Sequence, residues 1–125
     1  MADERTKLAG YLDRDLGDHL ITDLFDCYIF NERDMQACAY QYLRRFVDKH
    51  RNESWFVRCE PPLKGLRPDI CLFFRYDPIY LIELKLFEGD YDERLLTSDI
   101  EKLKGIKKDF CTVRGCFVIF IYDSN

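Results

Sequence analysis

The segment RPDICLFFRYDPIYLIELK, residues 67–85, sets Asp69, Glu83 and Lys85 into two otherwise apolar runs. Charges inside a buried sheet cost free energy unless something compensates them. Side chains two apart on a strand share a face, so Glu83 and Lys85 point together with Leu81, while Ile82, Leu84 and Leu86 point the other way. Asp69 heads the alternate set Asp69, Cys71 and Phe73 on the preceding run. If the two strands pair, Asp69 and Glu83 converge at one end. Two ionised carboxylates held that close repel, which raises a pKa or demands a cation. Magnesium or manganese meets the demand with few protein ligands and keeps positions open for a phosphate. Lys85, one strand step away, is placed to orient a water or to balance charge on a phosphorane-like transition state. The chemistry open to this arrangement is phosphodiester hydrolysis.

The elements around these residues follow from periodicity. Leu8, Leu12, Leu16, Leu20 and Leu24 recur every four residues, with Tyr11 and His19 beside them, and predict an amphipathic helix interrupted at Gly17. Met35, Cys38, Ala39, Tyr42, Leu43, Phe46 and Val47 form the stripe of a second helix, for which Asn31 is the expected N-cap. WFVRCE then reads as a strand, PPLKG as a turn, and PDICLFF and IYLIELKLF as two further strands joined at RYDP. Both are apolar enough to lie centrally in a sheet. In SDIEKLKGIKK, Ser98 three residues before Glu101 predicts a capping box at the start of a third helix, with Ile100, Leu103 and Ile106 on one face. CFVIFIYD closes the pattern as a strand. The order helix, helix, three strands, helix, strand predicts an α/β (α+β) fold: a mixed sheet of about four strands with helices on both faces.

The chain has 125 residues, 47% hydrophobic and 34% charged, which fits a single domain, 1–125, of ordinary globular composition. No window reaches the length of a membrane span and the first residues lack the apolar stretch of a signal peptide, so a cytoplasmic protein is expected, with no membrane partner. Cys27, Cys38, Cys59, Cys71, Cys111 and Cys116 fall at apolar positions without paired spacing and are expected to be reduced core residues; Cys111 and Cys116 alone make a poor metal motif. A net charge of −4 argues against a generic nucleic-acid coat but leaves room for a local basic groove.

RPD followed by ELK resembles the P-D…(D/E)-x-K signature of the restriction-endonuclease-like nuclease superfamily. The likeness extends to the order of elements over residues 31–123, leaving 1–30 as an N-terminal helical extension. The resemblance implies a metal-dependent DNA endonuclease that uses a metal-activated water. Asp69 and Glu83 would hold Mg2+, or Mn2+, with the Leu84 carbonyl, and Lys85 would assist the water. It also implies a further acid from the early helix, matched by Glu32, with Gln36 one turn later as support. Glu60, at the end of the first strand, is a rival third acid. Many relatives carry further helices for DNA contact or dimerisation, which the residues up to Asn125 do not include. A homodimer through the leucine-rich first helix, or a larger protein partner, is the expected remedy.

Plainer readings stand beside these. Glu83 and Lys85 could form a surface ion pair, Asp69 could be a turn residue after Pro68, and Glu32 a first-turn acid favoured by the helix dipole. Lys102, Lys104, Lys107 and Lys108 on the late helix, and Arg67, are the candidate DNA contacts, with Arg33, Arg44 and Lys64 nearby. His19 and His50 are given no catalytic role. A noncatalytic nucleic-acid- or protein-binding module of the same fold, and an RNase, are the alternatives, since no feature reads the 2′-hydroxyl.

Overall fold

Leucines spaced by four cannot stay on one face of a pure α-helix, because each step of four overshoots a full turn by about 40°. The computed structural model, which describes residues 4–49 and 54–123, shows how the chain absorbs the drift. Helix α1 (Glu4–Gly10) runs into a π-helical turn, Tyr11–Asp15, and then into α2 (Leu16–Phe25). The wider π turn slows the rotation, and Leu8, Leu12, Leu16 and Leu20 all end up buried. The irregularity is therefore at Tyr11–Asp15 and not at Gly17, which is helical.

Helix α3 (Glu32–Lys49) buries Met35, Ala39, Leu43 and Val47 against the same core. Asn31 caps it as expected: its Oδ1 accepts the Asp34 N–H at 2.8 Å, while Asp34 Oδ2 accepts the Phe30 N–H at 2.9 Å. Asn31→Ala is expected to cost about 1 kcal/mol, measured by urea unfolding, because an orphan donor of the first turn loses its acceptor. His19 stacks on Tyr42 with ring centroids 4.8 Å apart, a packing role. His50 lies outside the described residues.

Strands β1 (Trp55–Cys59), β2 (Ile70–Phe74), β3 (Asp77–Glu88) and β4 (Gly115–Asp123) form one mixed sheet in the order β1-β2-β3-β4. The β1–β2 and β2–β3 pairs are antiparallel; β3–β4 is parallel. A parallel pair needs a crossover, and α4 (Glu93–Asp109) supplies it. Ile70, Leu72, Ile82 and Leu84 face the core shared with α1, α2 and α3; Cys71 and Leu81 face Leu103 and Ile106 of α4. Helices thus cover both faces, and β2 and β3 are central.

Two expectations need correction. Helix α4 begins at Glu93, capped by Asp92, whose side chain accepts the Arg94 N–H at 3.0 Å; Ser98 and Glu101 are interior to the helix and form no capping box. Among the cysteines, all free thiols, only Cys71 is buried; Cys27, Cys59 and Cys111 are exposed. Apolar spacing alone could not tell strand ends and loops from the interior. Leu8, Leu12, Leu16 and Leu20 of the first helix are buried in the core, so a second copy would meet that helix only through its exposed side. Among the described residues, no helix is long and apolar enough to cross a membrane.

Candidate functional site

The β2–β3 register ends at Ile70↔Ile82, whereas β3 continues to Glu88 alongside β4. From Glu83 onward, therefore, one edge of β3 has no strand beside it. Two carboxylates take the place of the missing strand: Asp69 Oδ2 accepts the Leu84 N–H at 2.7 Å, and Glu32 Oε1 accepts the Leu86 N–H at 3.1 Å. Residues 84 and 86 alternate with the β4-paired positions, so both N–H groups, and the Leu84 carbonyl with them, turn to this open edge. Asp69 and Glu32, 37 positions apart in sequence, meet along it.

Asp69 is fixed on every side. Its N–H donates to Glu83 Oε1 at 3.2 Å, and its carbonyl accepts Gln36 Nε2 at 2.9 Å and the Glu60 N–H at 3.0 Å. Gln36 thus holds the Asp69 backbone, the supporting place expected for it. Glu60 itself adopts a left-handed backbone (φ 50°) that breaks the alternation at the end of β1; of the two candidate acids, Glu32 is the one bonded to the β3 edge, through the Leu86 N–H.

Glu83 is the one charged residue among those buried in the described structure, 4% exposed. Its pKa is raised to about 7, chiefly by burial and further by the charge and hydrogen bonding of the nearby Asp69, against the lowering pull of Lys102. A proton shared between two acids is one way to relieve their repulsion, and a cation is the other. For Lys85, burial alone would lower the pKa, but Glu32, Asp99 and Asp69 outweigh it and the net shift is upward. Lys85 is therefore held in its charged form.

Two residues of α4 complete the cluster. Asp99 Oδ2 lies 3.3 Å from Lys85 Nζ, which also sits 3.7 Å from Glu32 Oε1. The Asp99 oxygen is buried and accepts no well-aligned hydrogen bond, so its tie to Lys85 is ionic. Lys102 Nζ lies 2.8 Å from Glu83 Oε1. Asp99 was not expected from the sequence. Lys102 was expected to face nucleic acid, and the structure turns it onto Glu83 instead.

The other candidate DNA contacts are exposed. Lys104 pairs with Glu101 at 3.7 Å on the exposed side of α4, and Lys107, Lys108 and Arg67 are exposed. Arg44 is engaged with Tyr40 and Asp48. Burial raises the Cys71 thiol to about 12 and raises Cys38, Cys59 and Cys116 too, so these four remain protonated.

Four carboxylates, Glu32, Asp69, Glu83 and Asp99, are thus gathered with two ammonium groups, Lys85 and Lys102. Side chains from α3, β3, α4 and the residue just before β2 leave an excess of negative charge among hard oxygen donors, which suits a hard divalent cation. Among the described residues no group of three or more His, Cys, Asp or Glu side chains stands in a ready-made metal cage. Asp69 and Glu83 nonetheless fit the two-carboxylate donor set that magnesium accepts, provided Lys102 moves aside. No protein-family model matches the chain, and no curated protein or solved structure gives a significant match.

Proposed function

We propose that this protein is a metal-dependent nuclease that hydrolyses DNA phosphodiester bonds, built on a restriction-endonuclease-like core. The observation that carries the reading is the meeting of Asp69 and Glu83 at the open edge of β3, beside a Lys85 held in its charged form. The antiparallel, antiparallel, parallel pairing of a four-stranded sheet, with the acids at the central strands, supports the fold assignment.

In this reading Asp69 and Glu83 hold Mg2+ or Mn2+ with the Leu84 carbonyl, and Glu32 lies along the same edge. Such an ion, when bound, polarises a phosphoryl oxygen and acidifies a water. The chain's own groups then have distinct tasks. Asp69, locked by Leu84, Gln36 and Glu60, keeps its carboxylate in place, so little reorganisation is needed on binding. Lys85 presents an ammonium that offsets the negative charge growing on the phosphoryl oxygens. Asp99 and Glu32 position Lys85 and keep it protonated.

Purified protein incubated with labelled single-stranded, double-stranded and branched DNA and with RNA, in magnesium or manganese, is expected to cleave DNA and to stop on addition of chelator. Cleavage of RNA alone would reassign the substrate. A second reading has one observation in its favour: both lysines are already paired with acids, as a noncatalytic binding module of the same fold would require for stability. Binding of the same nucleic acids without any cleavage would select it.

A further inference from the structure

Resting on the metal-dependent reading above, we propose that Lys102 is an internal cation that occupies the divalent ion's place at Glu83 and passes to a substrate phosphate oxygen when the ion enters.

The contact is the shortest ion pair among the described residues, 2.8 Å, and joins a partly exposed lysine to a buried acid: the Lys102 side chain is 31% exposed, that of Glu83 5%. The ammonium therefore reaches the carboxylate from the solvent side, the direction from which an ion or a phosphate would arrive. The same Oε1 accepts the Asp69 N–H, so Lys102 holds Glu83 at the oxygen that also ties it to the Asp69 backbone. Lys85 does not serve that purpose, because Asp99 and Glu32 engage it.

A single ammonium leaves the two adjacent acids one charge short of compensation. A divalent ion neutralises both carboxylates and removes the reason for Lys102 to stay. A lysine ammonium is a compact charge on a flexible four-carbon stem, able to exchange one oxyanion for another with little rearrangement of the backbone. Held on α4 three positions from Asp99, which stays tied to Lys85, the released ammonium cannot travel far. Its nearest new acceptor is an oxygen of a phosphate brought to the ion. An empty site would thus be closed by its own lysine, and nucleic-acid affinity would rise with metal binding. A purely structural clip would instead keep Lys102 on Glu83 throughout.

The test measures Mn2+ binding to the full chain by electron paramagnetic resonance, and binding of a fluorescent single-stranded DNA by anisotropy with and without Ca2+. Lys102→Met keeps the stem and removes the charge; Lys102→Gln, which still donates to Glu83, guards against loss of fold. Both are expected to bind Mn2+ about tenfold more tightly than the parent, and to lose most of the gain in DNA affinity that Ca2+ gives the parent. Equal or weaker Mn2+ binding by the folded variants overturns the exchange while the metal site stands. Tighter Mn2+ binding with an undiminished Ca2+ effect on DNA overturns the transfer to phosphate. Absence of Mn2+ binding in parent and variants overturns both this inference and the metal-dependent reading beneath it.

Discussion

Asp69→Asn is expected to reduce magnesium-dependent DNA cleavage by at least about a hundredfold while changing stability by no more than about 1 kcal/mol. The two effects separate because the carboxylate has two jobs. As an acceptor it satisfies the Leu84 N–H on the uncovered edge of β3, and the asparagine carbonyl can do that equally well. As an anion it supplies half of the charge that the proposed ion would neutralise, and the amide supplies none. The variant should also lower the pKa of Glu83, since the Asp69 charge is one of the influences raising it. Cleavage rates with end-labelled DNA, beside urea unfolding curves, decide the matter. Retained activity would remove Asp69 from the metal site and leave it as an edge cap. Asp69→Ala is a poorer probe, because it strands the Leu84 N–H. Lys85→Ala is poorer still: it takes the cation from the buried Asp99 oxygen, a loss that costs several kcal/mol on its own.

Strand alternation makes the centre of this site legible in the sequence. The period of two put Glu83 and Lys85 on one face with Leu81, and the β2–β3 pairing brings Asp69 to Glu83 as the alternation required. The Asn31 cap was equally local and equally readable. What escaped was the contribution of α4. Asp99 stands three, four and seven residues before Lys102, Leu103 and Ile106, so the buried stripe of the helix contained the signal. It was obscured by placing the helix start at Ser98, which put Asp99 in a first turn, where acids are common for reasons of the dipole. Reading the lysines of α4 as one basic surface hid the same fact, because Lys102 lies next to the apolar stripe and Lys104 away from it.

The first helix shows the opposite limit. Its leucines were correctly read as a single face, but a spacing of four carries no statement about how the backbone adapts, and the π turn that reconciles it appears only in the packed molecule. Glu32 needed still more distant information. Its place depends on β3 outrunning β2, a difference in strand length that leaves the Leu86 N–H for a carboxylate from α3.

The pH dependence of metal stabilisation provides the second large effect. In the metal-free protein Glu83 is raised from 4.5 to about 7, first by burial, so between these values the folded state holds a proton that the unfolded chain has released. The difference in bound protons, unfolded minus folded, is negative there, and stability falls as pH rises through the window, by at most about 1.4 kcal/mol per pH unit. Below the window both states are protonated and the contribution is flat; above it the whole cost of the buried charge is present. A divalent ion competes with that proton. Its affinity is therefore expected to be about 30-fold weaker at about pH 5.5 than at about pH 8, and the rise in Tm on adding Mg2+ should be small at the lower pH and large at the higher. Glu83→Gln has no such proton to lose, so its metal-free stability should vary less with pH across the window and its Tm should respond little to Mg2+ at either pH. Differential scanning calorimetry of parent and variant in the two buffers distinguishes the cases. A Mg2+ shift equal at both pH values in the parent would mean that the ion binds without Glu83, and the pair of acids at the edge of β3 would then be structural.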